Sequence, residues 1–107
     1  MFGTTFLAGC SDGGGGEGGG HAGAEHSVTI RGNAYSPVSL AVRQGDRIVW
    51  HNEDGVTHTA TLDSGERDSG HIAAGGEGGF TLPTPGSLRY HCRIHPGMSG
   101  TIIVAAD

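Results

Sequence analysis

Residues 90–98 read Tyr90-His91-Cys92-Arg93-Ile94-His95-Pro96-Gly97-Met98. Within this stretch a thiol, an imidazole and a thioether recur at every third residue, in Cys92, His95 and Met98. The Pro96-Gly97 pair favours a sharp turn, so we expect the three side chains to surround one point. A second imidazole, that of His58, lies upstream in the turn-rich stretch 52–59.

These four side chains form a donor set that favours one metal. Two imidazoles and a thiolate in a plane, with a weak axial thioether, suit both Cu(I) and Cu(II) and are typical of blue-copper electron-transfer sites. The sequence therefore predicts one type 1 copper ion bound by His58, Cys92, His95 and Met98. Because the protein would fill every strong position, no position stays open for a substrate, which argues against an enzyme.

Three other interpretations of these residues stay open. Cys92 and His95 are able to form a thiolate–imidazolium pair in a nucleophilic enzyme, although no acidic or amide residue close in sequence would orient the imidazole. A structural zinc site would use cysteine and histidine without methionine. Met98 is also able to serve simply as a core residue.

Apolar and polar residues alternate throughout the chain after residue 26. Runs such as Val28-Thr29-Ile30 and Ile48-Val49-Trp50 are short, and turn-forming Gly, Pro, Asn and Asp residues separate them. No apolar stripe at helical spacing persists for a full helix. About seven or eight short strands predict an all-β fold, either an antiparallel sandwich or a barrel.

The same alternation sorts the histidines. Tyr90 and Cys92 fall on the inner face of one strand, which leaves His91 facing solvent. His58 falls on the same side as Ala60 and Leu62. The other four histidines are expected to be exposed or locally hydrogen-bonded rather than ligands, namely His21, His26, His51 and His71.

The N-terminal part of the chain has a different composition. Leu7-Ala8-Gly9-Cys10 resembles the lipobox of bacterial-type lipoproteins, in which the cysteine carries lipid, although no positively charged segment precedes it. We predict a truncated signal segment over 1–9, a glycine-rich flexible tether over 10–25 and a folded domain over 26–107. The alternatives are an accidental match that leaves a disordered tail, and a disulfide between the chain's two cysteines.

Charge and hydropathy narrow the choice of partners. The net charge is −5 and all six basic residues are arginine, without a basic stripe that would meet phosphates, which argues against nucleic acid as a partner. No stretch is long enough to cross a bilayer as a mature helix. Lipid on Cys10 would instead hold the protein at the membrane, in the periplasm or on the outer face of the cell.

The motifs together resemble those of the cupredoxin family, the plastocyanin-like and amicyanin-like blue copper proteins. The likeness covers nearly all of residues 26–107 and rests on the segments 50–54, 58–59, 79–80, 85–92, 95–98 and 100–104. The short interval between His95 and Met98 looks like the ligand loop of amicyanins. The resemblance implies an eight-stranded Greek-key β-sandwich with His58, Cys92, His95 and Met98 as copper ligands.

Three further expectations come from the resemblance. Asn52 matches the asparagine that ties the family's ligand loops together. His95 is implied to lie near the surface within a small apolar patch, through which electrons enter and leave. Thr59 departs from the pattern, because plastocyanin and azurin usually have asparagine there; its backbone amide is still able to donate to the thiolate, whereas the side-chain link is in question.

Two functions follow from these observations. The first is a monomeric one-electron carrier that exchanges electrons with redox proteins at or outside the cell membrane. The second is a copper-binding module for storage, delivery or sensing, without electron transfer. The reduction potential and the rate of electron self-exchange distinguish the two.

Overall fold

The computed structural model describes residues 23–106, and these form two four-stranded sheets that share one core. The predicted signal segment 1–9, Cys10, His21 and the rest of the tether up to residue 22 lie outside the described residues, as does Asp107. The first strand begins at Glu25, next to the predicted start of the domain at residue 26.

Eight strands occur in the described residues and confirm the predicted all-β, eight-stranded Greek-key sandwich. They are β1 (Glu25–Ile30), β2 (Tyr35–Ser36), β3 (Ser39–Arg43), β4 (Arg47–Asn52), β5 (Thr61–Leu62), β6 (Glu77–Thr81), β7 (Gly86–His91) and β8 (Ser99–Ala105). The first sheet has the order β2-β1-β4-β6 and the second the order β3-β8-β7-β5. Residues 23–106 contain no helix with the length and apolar character needed to cross a bilayer.

Strand direction differs from the antiparallel arrangement that the short strands predict. β1 pairs with β4 in parallel and β3 pairs with β8 in parallel, while the other four pairings are antiparallel. The reason is that β3 belongs to the second sheet, so the chain leaves the first sheet after β2 and returns to it with β4. Such a crossover allows β4 to run in the same direction as β1, which a tight hairpin does not.

The core confirms the alternation read from the sequence. Trp50 on β4 is fully buried, and its ring lies 4.9 Å from that of Phe80 and 5.3 Å from that of Tyr90, centroid to centroid. Tyr90 belongs to the second sheet, so this contact joins the two sheets. His51, the next residue on β4, has a side chain that is 43 % exposed, as expected for the outer face.

Gly100 on β8 allows Tyr90 to lie directly against the neighbouring strand. A Cβ atom at position 100 would stand 2.6 Å from Cζ of Tyr90, closer than any real side chain approaches. The absence of a side chain at this position therefore lets the tyrosine ring cover the β8 backbone. This contact fixes the end of β7 just before the chain reaches Cys92.

Candidate metal centre

Three of the four predicted ligands come together in the loops that follow β4 and β7. The donor atoms of His58, Cys92 and His95 all lie within 4.8 Å of one another. Cys92 and His95 belong to the loop between β7 and β8, whereas His58 lies between β4 and β5. Of the described residues, only these three histidine, cysteine or acidic side chains form a group able to hold a metal ion.

Both imidazole rings present the same nitrogen to the sulfur. The Sγ atom of Cys92 lies 3.6 Å from Nδ1 of His95 and 3.9 Å from Nδ1 of His58. The two ring centroids are 4.6 Å apart, and their planes are inclined by 53°. One sulfur and two nitrogen donors therefore face a common point.

The ligand loop is a closed turn. The Cys92 amide donates to the Met98 carbonyl at 3.0 Å, and the Met98 amide donates to the His95 carbonyl at 3.2 Å. Gly97 supplies the left-handed conformation, with φ of 91°, that the turn requires. These bonds confirm that the Pro96-Gly97 pair turns the chain back on itself.

Met98 is buried next to this turn. Its side chain is 5 % exposed and belongs to the cluster of buried residues that also contains Cys92. A core methionine and an axial ligand would both lie in the interior, so its position agrees with either interpretation. The assignment of Met98 as a ligand stays a prediction.

Thr59 links the His58 segment to the Cys92 loop. The family resemblance had left its side-chain link in question, because related proteins usually have asparagine at this position. Its backbone amide donates to Sγ of Cys92 at 3.4 Å. Its hydroxyl oxygen accepts from the backbone amide of Arg93 at 2.9 Å. The threonine therefore joins the His58 segment to the Cys92 loop through a hydroxyl group.

Asn52 braces the loop that carries His58. Its side-chain amide donates to the carbonyls of Val56, at 2.8 Å, and Ile72, at 2.9 Å. Its side-chain oxygen accepts from the Asp54 amide at 3.0 Å. Asn52 is 2 % exposed, so these bonds also satisfy a buried polar group. These bonds join the segments before and after His58, whereas Thr59 makes the bonds between the His58 segment and the Cys92 loop.

His58 makes a contact that the sequence did not predict, on the side of its ring that faces away from Cys92. The Nε2 atom of its ring is 2.8 Å from Oδ2 of Asp54. The same carboxylate accepts from the amides of Asn33 and Gly32, and these bonds, together with that from His58, hold the pKa of Asp54 below its usual range. The only sequence signal was an acidic residue four positions before the histidine.

The His58 segment is buried on both sides, which alternation did not predict. Residues 58–62 are all buried, Thr59 and Thr61 included. The segment 67–72 pairs with them: the Ser69 amide donates to the Ala60 carbonyl at 2.9 Å, and Asp68 accepts from the Thr61 hydroxyl at 3.1 Å. The Nε atom of Arg93, in the ligand loop, lies 3.0 Å from Oδ2 of Asp68 and so connects the ligand loop to the segment 67–72.

The surroundings of Cys92 favour the thiolate. Burial raises the pKa of this thiol, but hydrogen bonds, chiefly from His95 and the Thr59 amide, lower it to about 6. A thiolate is the form of cysteine that binds metals. The site therefore offers a charged sulfur donor at neutral pH even before a metal ion binds.

We expect the Cys92 thiol of the metal-free protein to titrate near pH 6, as followed by the ultraviolet absorbance of the thiolate. Between this pKa, about 6, and the ordinary value of 9.0, the unfolded chain binds the extra proton. The free energy of unfolding should therefore rise with pH across this window and fall as the pH drops through about 6. The Cys92→Ser variant is the control, and an equal pH dependence in that variant would assign the effect to other groups.

The other described histidines lie outside the donor group, as predicted. His91 faces outward on β7, where its Nδ1 is 2.6 Å from Asp63. His51 lies 3.1 Å from Glu77, and His26 lies 2.9 Å from Asp46. Each of these three rings is paired with a carboxylate rather than with another soft donor.

Exposed apolar side chains come from the two loops that carry the imidazoles. Val56, two residues before His58, is 50 % exposed, and Ile94, next to His95, is 42 % exposed. His95 itself is half-buried, whereas His58 is fully buried. His95 is therefore the imidazole of the pair that lies nearer the surface, whereas the apolar patch around it stays a prediction.

The donor set fits copper better than zinc. A thiolate and two imidazoles, with Met98 buried in the same cluster as Cys92, combine soft and borderline donors, which suit a metal that cycles between Cu(I) and Cu(II). Structural zinc sites are completed by a fourth cysteine or histidine. The described residues provide only His58, Cys92 and His95 for such a site.

Comparisons with known structures agree with this geometry. A purple cupredoxin from Nitrosopumilus maritimus is 24 % identical, with a TM-score of 0.67 over 75 % of this chain and 99 % of its own. A reduced amicyanin variant is 28 % identical, with a TM-score of 0.67 over 77 % of this chain and 82 % of its own. A Cu-containing nitrite reductase from Thermus scotoductus SA-01 is 26 % identical, with a TM-score of 0.66 over 74 % of this chain but only 22 % of its own.

The family comparison covers almost the whole chain. The family model described as the cupredoxin-like domain matches residues 5–104. A search of curated proteins found no significant match. Because the family match, the two-sheet fold and the His-Cys-His group agree, the chain belongs to the cupredoxin-like family.

Proposed function

We propose that this protein is a type 1 copper protein that carries single electrons between redox partners. One copper ion would be held by His58, Cys92, His95 and Met98. The observation that carries the proposal is the convergence of three donor atoms within 4.8 Å of one another around a buried sulfur. When bound, copper would supply the Cu(I)/Cu(II) couple.

The chain prepares this site before metal binds. The Thr59 amide donates to the Cys92 sulfur, and the closed turn fixes the spacing between Cys92 and Met98. His58 is fully buried, so its ring has little freedom to move. The donor atoms of a site held in this way would move little when the metal changes its oxidation state, and fast electron transfer requires such a small change in geometry.

The burial of Cys92 weighs against the enzyme alternative. A nucleophilic sulfur must reach a substrate carbon, yet Cys92 is only 3 % exposed and its sulfur already accepts from the Thr59 amide. The four proposed ligands would also leave no open position for a substrate on the metal. We therefore propose that the protein itself is not an enzyme.

Spectroscopy and electrochemistry of the copper-loaded protein test the proposal. An electron carrier should show intense thiolate-to-Cu(II) absorption in the visible range, a type 1 EPR spectrum, a reversible potential and fast self-exchange. Slow self-exchange with easy loss of copper would favour the storage, delivery or sensing module. A colourless Cu(II) protein would contradict a type 1 site.

Replacement of Met98 by leucine tests whether this residue would bind the copper ion. We expect Met98→Leu to keep copper and raise the reduction potential, because loss of the thioether removes a weak donor to Cu(II). The swap conserves volume, so the stability of the metal-free protein should fall by less than about 1.5 kcal/mol. Cyclic voltammetry measures the potential, and an unchanged value would mean that Met98 is a core residue only.

We also propose where the protein works. A lipid on Cys10 and the glycine-rich tether would hold a monomeric domain at the outer face of the cell membrane or in the periplasm, near membrane redox proteins. Mass spectrometry of the N-terminus of the native protein tests this arrangement. A mature chain without lipid on Cys10 would contradict the anchor while leaving the copper proposal intact.

A further inference from the structure

The carboxylate of Asp54 connects a ligand candidate to a distant turn. Its Oδ2 atom lies 2.8 Å from Nε2 of His58 and accepts from the Asn33 amide at 3.0 Å. Its Oδ1 atom accepts from the Gly32 amide at 2.7 Å. Gly32 and Asn33 form the turn between β1 and β2, more than twenty residues earlier in the chain.

The backbone of this turn is shaped to receive an anion. Gly32 and Asn33 both have left-handed conformations, with φ of 63° and 58°. Arg31 and Ala34 close the turn with reciprocal amide-to-carbonyl bonds of 3.0 and 3.2 Å. Successive N–H groups in a turn that point to one side make an anion-binding concavity. Here the occupant of that concavity is the Asp54 carboxylate.

The His58 ring is held from the side opposite to the sulfur. An ionised carboxylate only accepts hydrogen bonds, so Nε2 of His58 must carry the proton. In the neutral ring Nδ1 then keeps its lone pair, and this atom lies 3.9 Å from Sγ of Cys92. Because His58 is fully buried, the bond to Asp54 satisfies an Nε2–H group that would otherwise be buried without this partner.

We propose that Asp54 is a positioning residue of the metal centre, held by the β1–β2 turn and in turn fixing the tautomer and orientation of His58. This inference rests on the proposed function, because it concerns how His58 is presented to copper. A carboxylate bonded to the outer nitrogen of a ligating imidazole makes that imidazole a more basic donor. Asp54 therefore strengthens binding of Cu(II) more than of Cu(I) and lowers the reduction potential.

The test compares Asp54→Leu with Glu53→Leu. Both variants replace a carboxylate by an apolar side chain without a hydrogen-bond acceptor, on adjacent residues, but Glu53 pairs with Arg31 on the surface, whereas Asp54 bonds to His58. Nitrogen NMR of the metal-free protein near pH 8, where histidine is ordinarily neutral, reports the His58 tautomer. We expect the Nε2–H form in the unaltered protein and in Glu53→Leu, and its loss in Asp54→Leu, where Nε2 has no acceptor.

Copper binding provides the second readout. We expect Cu(II) affinity to fall about 10–100-fold in Asp54→Leu, with a higher potential, and to stay unchanged in Glu53→Leu. Asp54→Glu keeps the carboxylate and should retain the Nε2–H form even if its longer side chain loosens the turn. The same tautomer in all variants, with Cu(II) affinities within about threefold, would overturn the proposal.

The tautomer measurement separates this inference from the proposed function. It needs no metal, so it decides the role of Asp54 whatever the copper spectrum shows. If the unaltered protein binds Cu(II) without thiolate absorption, the electron-carrier proposal fails. If the absorption is present but the His58 tautomer does not depend on Asp54, only the positioning role of Asp54 fails.

Discussion

Replacement of Cys92 by serine is expected to abolish the visible colour of the copper-loaded protein completely. The absorption arises from charge transfer between a thiolate and Cu(II), and a serine hydroxyl is not ionised at neutral pH. Cys92 supplies the only sulfur in the group formed with His58 and His95. Visible absorption and EPR spectra of the Cu(II)-loaded variant measure the effect.

The chain provides a matched control in its other cysteine. Cys10 lies outside the described residues, in the segment that precedes the glycine-rich tether. Cys10→Ser should leave the colour and the potential unchanged. Colour that survives in Cys92→Ser and disappears in Cys10→Ser would place the thiolate elsewhere and overturn the assigned site.

Replacement of Trp50 by alanine should lower the free energy of unfolding more than any other substitution described above. Trp50 is fully buried on β4, and its ring packs against Phe80 of the same sheet and Tyr90 of the other sheet. Truncation of so large a side chain leaves a cavity between the sheets, for which a cost of about 3–5 kcal/mol is typical. Urea unfolding of the metal-free protein measures this loss without the contribution of metal binding.

His51→Ala is the control for this substitution. It removes an aromatic ring from the next position on the same strand, but on the outer face, where the ring pairs with Glu77. Surface changes of this kind usually alter stability by about 0.5 kcal/mol or less. Equal losses in the two variants would contradict the assignment of Trp50 to the core and His51 to the outer face.

The alternation of side chains predicted much of the sandwich. Ile48 and Trp50 are buried on β4 while His51 points outward, and Tyr90 is buried on β7 while His91 pairs with Asp63 at the surface. This agreement has a local cause, since successive side chains of any strand point to opposite faces. The pattern therefore needs no knowledge of which strands are neighbours.

The alternating pattern does not predict the direction in which strands pair, nor which outward-facing residues another segment buries. The parallel pairing of β1 with β4 depends on where the chain crosses between sheets, and alternation has the same period in both directions. Thr59 and Thr61 look like outward residues in the sequence, yet the segment 67–72 covers them. Its contacts join residues that no local pattern relates.

The candidate site likewise has a part that the sequence predicts and a part that only the tertiary structure decides. Cys92, His95 and Met98 occupy one seven-residue loop, so the covalent chain and the turn at Gly97 limit how far apart they lie. The sequence by itself therefore determined the kinds of donor and the compact loop that carries three of them. It also determined, through the period of its apolar residues, that the chain forms strands.

The tertiary structure alone decided how the remaining parts meet. His58 reaches the sulfur from 34 residues away, and Asp54 is held by a turn more than twenty residues earlier. The low pKa of Cys92, about 6, depends on donors from both loops. Distances of this kind are set by the packing of the two sheets as a whole, because no bonded path short enough to fix them connects these residues.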